Sequence, residues 1–477
     1  MSKVCTSCIG EIFLQDAIMR DGEVALCDFC RSEENPTVEL DVLAERVHSV
    51  LKEHFYMTSP YPEGFDLLAA KEGWWEQPGE LVTYVIMNLI DSSDELAESI
   101  REYLSGQYDP WGKDALIDPS PYASDSQYEE RPIETYEFQE SWSSFRDEIF
   151  SRSRFFNQAA KSALEHLFQG IADLKTHTGE PVVRVFGPKD QIFRARLAKS
   201  NDALKDILKS APESLGAPPG RYASAGRMNA EGITVFYGAT DMDTCIAEIR
   251  APVGSFVVSG QFSPLRELRV LDLTRLRRVF LQGSLFDPVH TQSMSRVHFL
   301  KRLEAELSQP VMPGSESRDY LPTQVVAEYL ASHPDMNLDG VMFASSQIVA
   351  EDGDADASRG KNVVLFSRAC GLEGYDIPDG TKIEVERFLG DPDDPDHSIS
   401  IWERVPANSE QNNAVQSNGG FSFLGSNDTQ DSPVFWIEAS IRLDMESIQV
   451  RRIEGVSYQT FSFSVNRHRF DPEETDF

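Results

Sequence analysis

The stretch RMNAEGITVFYGATDMDTCIAEIR, residues 227–250, sets Arg227, Tyr237 and Glu248 at nearly even intervals. A cation, a flat ring and a carboxylate suit a dinucleotide with a cationic leaving group. Breaking such an N-glycosidic bond leaves positive charge on a sugar, and a carboxylate held beside it stabilises that charge, as in glycoside hydrolysis. The guanidinium fork fits a pyrophosphate, and Gly220 and Gly226 let backbone approach a ligand. Each residue also has an ordinary reading, as a surface helix glutamate, a surface ion pair or a strand-end aromatic.

Positioning these groups takes a turn at Arg227, a strand over the apolar run 233–236 that Tyr237 ends, and a helix over 244–250 that carries Glu248. Upstream, Arg194 and Arg196 alternate with Phe193 and Ala195, so both arginines project to one strand face, where each is a phosphate-binding candidate. Short strands are expected at 182–186, 192–195, 233–237, 255–262, 268–271 and 363–366, with a helix at 324–331. Such a series predicts an α+β domain around a mixed, split or twisted sheet. Further strands at 382–388, 398–404, 435–443 and 447–463 are expected to complete or extend that sheet across 376–477, interrupted by a polar loop at about 408–432.

Cys5-x2-Cys8 and Cys27-x2-Cys30 lie eighteen residues apart, the paired-knuckle spacing of a four-thiolate zinc site. Four thiolates leave no open position for water, so the zinc is expected to be structural. Residues 1–35 therefore read as a small zinc-binding module. Helical spacing follows at 38–56, 80–90, 91–104, 141–150 and 157–174, with a long loop over 107–132, giving a helical domain at 36–176. Cys245 and Cys370 read as buried free thiols.

At 477 residues and 40% hydrophobic content the chain is long enough for two or three cores. Its formal net charge of -34 disfavours a phosphate-backbone partner, so nucleic acid is not the expected ligand. The sequence has no run of about 18 apolar residues, and MSKVCTSC lacks a basic-then-apolar signal, so a cytoplasmic protein without a membrane span is expected. Asp352, Asp354 and Asp356 mimic the opening of a calcium loop, but Ala357 stands where its glycine belongs and Val363 where its closing glutamate belongs.

The run GAPPGRYASAGRMN into GITVFYGA and TCIAEIR resembles the RES domain, named for arginine, glutamate and serine. Ordered matches extend this, from the Arg194–Arg196 strand through LDL (271–273), YLPTQVVAEYL (320–330) and DGVMFASS (339–346) to GKNVVLF (360–366), so the resemblance covers about 183–375. It implies an ADP-ribosyltransferase-like fold and consumption of NAD, with Glu248, Arg227, Tyr237 and Ser345 as the catalytic set. Arg194 is the better match to the family's early arginine, with Arg196 beside it as a dinucleotide contact, and Gln324, Glu328 and Asn362 match family positions that would either contact the dinucleotide or only tie loops together. Ser345 fits the family serine better than its neighbour Ser346, as a polar contact to nicotinamide or ribose and not a nucleophile.

The helical region is similar to the N-terminal domain of the HEPN group that accompanies RES domains. The Arg-x4–6-His pairing of HEPN ribonucleases is absent: Arg46 and His48 are too close, Arg154 and His166 too far apart. A ribonuclease is thereby disfavoured and a scaffold or docking unit expected. Together the readings predict an NAD glycohydrolase of toxin or defence type, with an antitoxin or other protein partner reached through the N-terminal domain. The same donor site would also serve an ADP-ribosyltransferase. A third reading is a noncatalytic zinc and helical interaction protein with a ligand-sensing RES fold.

Overall fold

A computed structural model describes the chain except for residues 1, 63, 65, 111–119, 313, 349–359, 388–398, 407–437, 458–459 and 468–477. The acidic 352–356 tract, the polar 408–432 loop and the acidic C-terminal residues lie outside the described residues. The rest divides into two compact units, one comprising Met1–Val182 with Arg275–Leu307, the other Val183–Thr274 with Ser308–Phe477.

The first unit opens with a three-stranded antiparallel sheet in which Pro36–Glu39 lies between Lys3–Cys5 and Glu23–Val24. The Ile12–Asp21 helix beside it is capped by the Glu11 carboxylate, which accepts from Leu14 N at 2.7 Å. Helices Leu40–His54, Val82–Ile90 and Asp94–Tyr108 follow, each burying one apolar stripe, such as Leu43, Val47, Val50 and Leu51 on the first. Asp91, left-handed at φ 47°, ends the second, and Ser93 caps the third. Val4, Ile9, Leu14 and Ile18 pack in the same core as Leu43, Ile86 and Ile100. The expected boundary at residue 35 is therefore no break in packing: so short a cysteine-rich segment cannot fill a core alone and borrows the helices.

Arg275–Leu307, expected inside the 183–375 domain, groups with this first unit instead. Its long helix, Pro288–Ser308, was not expected from the sequence, because its buried apolar residues, Val297, Phe299, Leu300, Leu303 and Leu307, leave the first nine positions without one. Phe299 stacks on Phe138, Trp142 donates to Glu306 at 3.1 Å, and fully buried Glu304 pairs with Arg277 at 2.5 Å.

The second unit is built on nine strands: β1 (Val183–Phe186), β2 (Ile192–Ala198), β3 (Phe236–Ala239), β4 (Phe256–Pro264), β5 (Leu268–Asp272), β6 (Gly340–Ala344), β7 (Lys361–Leu365), β8 (Gly371–Leu372) and β9 (Ala439–Arg452). They lie in the order β8-β9-β4-β2-β3-β7-β6-β5-β1, parallel at β5/β6 and β8/β9 and antiparallel elsewhere. The sheet is mixed and nearly split, since β2 and β3 meet through one residue pair, Phe193 with Ala239. Gly238 explains the close approach there, because a Cβ on it would lie 2.8 Å from the Phe193 carbonyl. Beyond the sheet, Lys382–Arg387 and Ile399–Arg404 form a separate hairpin, and Ala439–Arg452 is one strand paired with β4 where two were expected.

Candidate active site and metal centre

The gap between β2 and β3 opens into a cavity of about 470 Å³, lined by Arg194 and Arg196 from β2, Tyr237 from β3, Arg227, Glu248, Arg250 and Asn362 among others. Among the described residues its charged lining is four arginines and one carboxylate. Such a chamber is matched to an anion that also presents one site of developing positive charge.

Glu248 sits in the short helix Met242–Ile249, started by Asp241, whose carboxylate accepts from Thr244 N and Oγ1, both at 2.8 Å. The helix stops at Arg250, left-handed at φ 50°. Ser345 follows β6 and Asn362 lies on β7, and the pairing of Phe343 with Asn362 brings the two side by side. Both donate to the same carboxylate oxygen: Ser345 Oγ to Glu248 Oε1 at 2.6 Å, Asn362 Nδ2 to Oε1 at 2.8 Å. Among the described residues Oε2 accepts no hydrogen bond. The fold thus fixes the carboxylate by one oxygen and leaves the other available.

This geometry alters the expected role of Ser345. It is buried, and its proton goes to Glu248, an arrangement that holds the carboxylate in place. Ser346 is exposed and lines the cavity. Gln324 is likewise buried and donates to the Gly226 carbonyl at 2.8 Å, while Thr323 Oγ1 donates to the Arg227 carbonyl at 2.5 Å. Two successive residues of the Leu321–Ser332 helix therefore hold the loop that carries Arg227, and Gln324 is not among the cavity-lining residues.

Tyr237 donates its phenolic proton to Asn229 Oδ1 at 3.0 Å and accepts from Met228 N at 2.8 Å. The Asn229 amide in turn donates to the carbonyls of Ser224, Ala230 and Ile233. The hydroxyl thus holds the turn, while Tyr237 also lines the cavity. Gly226 completes the turn: a Cβ there would lie 2.7 Å from both the Tyr237 hydroxyl and Asn229 Oδ1. Arg227 Nη2 donates to the Gln309 carbonyl at 2.7 Å, and its guanidinium lies 5.2 Å over the Tyr320 ring. Asn229 and Tyr320 were not singled out in the sequence, although an asparagine three residues after Gly226 is a usable turn signal.

Arg194 is the electrostatic anomaly. It is buried with its guanidinium 4.7 Å over the Phe236 ring, and among the described residues Nη1 has no hydrogen-bond partner. Burial, reinforced by the charge of Arg196, pushes it down to about 9. An isolated buried cation is costly, and an anion in the cavity would relieve it. Arg196 is lowered by burial too, and its Nε donates to the Ser214 carbonyl at 2.9 Å. Cys245 also lines the cavity, but burial lifts its thiol to about 12, so it is no thiolate nucleophile near neutral pH.

In the first unit the sulfurs of Cys5, Cys8, Cys27 and Cys30 lie within 4.8 Å of one another, with Cys5–Cys30 at 3.4 Å and Cys8–Cys27 at 3.7 Å. A tetrahedral ion with metal–sulfur bonds of about 2.3 Å requires sulfurs roughly 3.8 Å apart, so the set could hold a metal ion. Burial opposes ionisation of Cys27, but the backbone N–H groups of Cys30, Phe29 and Cys5 outweigh it and hold the thiol at about 7. No helix among the described residues is long and apolar enough to cross a membrane.

Residues 195–384 match the model of the RES domain, and residues 20–163 match that of HEPN/RES N-terminal domain 1. Neither the curated proteins nor the solved structures contain a match to the chain. At family level a RES domain brings an NAD-related, toxin-like function. The chain belongs to the RES-domain proteins that carry a HEPN/RES N-terminal domain.

Proposed function

We propose that the second unit cleaves the bond between nicotinamide and ribose of NAD, with water as acceptor. One observation carries this reading: Glu248 is held by Ser345 and Asn362 through a single oxygen, inside a cavity whose other charged lining residues, among those described, are arginines. As the bond breaks, the pyridinium leaves as neutral nicotinamide and the ribose gains oxocarbenium character. The free Glu248 oxygen supplies fixed negative charge to that sugar and orients a hydroxyl or the incoming water. Water adds at the anomeric carbon, and the products are nicotinamide, ADP-ribose and one proton.

Arg194 and Arg227 are assigned to the pyrophosphate, and the face of Tyr237 to the ring of the substrate. Arg196 is a weaker candidate because its Nε is already engaged. The four-cysteine set is assigned to zinc, in a structural role, since it offers no open coordination position. Partners through the first unit, including an antitoxin, and a cytoplasmic site of action remain part of this reading.

Incubating the full chain with NAD and following nicotinamide, ADP-ribose and protein-attached ADP-ribose tests the proposal. Equal amounts of nicotinamide and free ADP-ribose are expected. Nicotinamide with ADP-ribose on protein would make the acceptor a macromolecule, and no nicotinamide at all would leave a binding module.

A further inference from the structure

A hydroxyl that holds a carboxylate must itself be aimed. The Ser345 backbone is fixed, since its N–H donates to the Gly360 carbonyl at 2.8 Å. Its Oγ carries one proton and two acceptor positions, and rotation about the C–O bond decides where that proton points. One acceptor position is filled from within the same turn: Gln347 N donates to Ser345 Oγ at 3.1 Å, and Ser345 Oγ donates to Glu248 Oε1 at 2.6 Å. A hydroxyl that accepts on one side is the better donor on the other, because hydrogen bonds in a chain polarise one another.

The Gln347 backbone is in turn seated by its own side chain. Oε1 accepts from Arg250 Nε at 3.1 Å, and Nε2 donates to Ser346 Oγ at 3.1 Å. Arg250 stands two residues beyond Glu248, so the contacts close a ring that runs from the carboxylate through Ser345, Gln347 and Arg250 and back along the chain to Glu248. The backbone at Arg250 agrees with a use for its side chain. It is left-handed, at φ 50° and ψ 45°, where a helix ends and where glycine would meet the conformational need without strain. A glycine could not reach Gln347.

We propose that Gln347 is a positioning residue for the reaction at Glu248, anchored by Arg250, and that it acts by aiming the Ser345 proton at Oε1. The role rests on the reading of Glu248 as the carboxylate of NAD cleavage. Gln347 is not among the residues that line the cavity, whereas Arg250 is, so the kinetic test falls on Gln347.

The first readout needs no substrate. Hydrogen exchange at the Gln347 amide should be slow in the unaltered chain and at least about tenfold faster in Arg250→Ala. Equal exchange in the two would overturn the anchoring. The second readout is nicotinamide release by the unaltered chain, Gln347→Ala, Ser345→Ala and the double variant, at matched melting temperatures. Gln347→Ala should lower kcat about fivefold with KM nearly unchanged, the scale of one ordinary hydrogen bond. When Ser345 is already alanine, the same change should cost less than about twofold, because its only route to the carboxylate is gone. Gln347→Glu, which keeps an acceptor for Arg250, should recover part of the loss. The same cost in both backgrounds, or an effect on KM alone, would overturn the positioning role. A protected amide in a chain that releases no nicotinamide would instead sink the NAD reading, and the positioning role with it, leaving the ring as a contact of the fold.

Discussion

The cysteine cluster and the arginine-lined cavity both gather polar side chains from distant stretches of sequence, but they differ in what they leave over. At the cysteines, four sulfurs converge on one point, and every donor atom is aimed at the same place. In the cavity, Glu248 uses one oxygen and Arg194 has a nitrogen without a partner. A closed set is matched to a permanent occupant and contributes folding energy, whereas an incomplete set is held open for something that comes and goes. The contrast is the one expected between a structural metal site and a site of chemistry.

The largest effect that could break this contrast is metal loss. A four-thiolate site contributes of order 10 kcal/mol to the fold around it, so chelation or Cys8→Ser should unravel residues 3–39 and lower the melting temperature of the first unit. Because Val4, Ile9 and Leu14 share the helical core, the loss should spread into helices Leu40–His54 and Asp94–Tyr108. Metal analysis should give one zinc per chain; a metal-free chain with unchanged melting would make the cluster four ordinary thiols.

Next in size, Glu248→Gln should lower nicotinamide release at least about a hundredfold at unchanged melting temperature, since removing preorganised charge costs a few kcal/mol of transition-state stabilisation. Full activity in a folded variant would remove Glu248 from the mechanism.

Arg194→Gln sharpens the comparison further, because its two effects should have opposite signs. KM for NAD should rise roughly tenfold or more as a phosphate partner is lost, while stability holds or increases, since an unpaired buried charge has been removed. The same residue predicts a pH dependence. With Arg194 at about 9, its charge is present below that pH and lost above it, so kcat/KM should fall as pH rises through about 9. A profile flat to pH 10 would show that Arg194 keeps its charge over that range, leaving its part in binding to the Arg194→Gln comparison.

The smallest effect is expected at Ser345. Loss of one hydrogen bond to a charged group is worth about 1.5–3 kcal/mol at most, so Ser345→Ala should lower kcat about tenfold with KM nearly unchanged. Ser345→Thr should restore part of it. A change in KM alone would make Ser345 a substrate contact after all.

Much of this was legible in the residues. The CxxC spacing, the Arg227–Glu248 stretch and the alternation of Arg194 and Arg196 are local patterns, and local patterns survive in sequence. What could not be read were features made by register. Nothing near Ser345 or Asn362 announces that they meet on one carboxylate oxygen; that follows from β6 pairing with β7 and both lying beside the Glu248 helix. Tyr237 stood out for its flat ring, and only the folded turn shows its phenolic proton committed to Asn229. The Pro288–Ser308 helix escaped because half its length buries nothing.

Arg275–Leu307 has a consequence for how the molecule is made. The first unit begins at the amino terminus, but its last segment emerges only after β1 to β5 of the second. At about 5–20 residues per second, roughly 6–25 seconds of synthesis separate Val182 from Leu307, and during that interval the first unit lacks the helix that carries Phe299 and Glu306. Its completion therefore waits on the ribosome, and residues 136–168 must stay soluble with one face uncovered. A fragment that starts near residue 180 would inherit the mirror-image fault, a helix separated from Phe138 and Trp142. The two units are distinct in space yet interleaved in time.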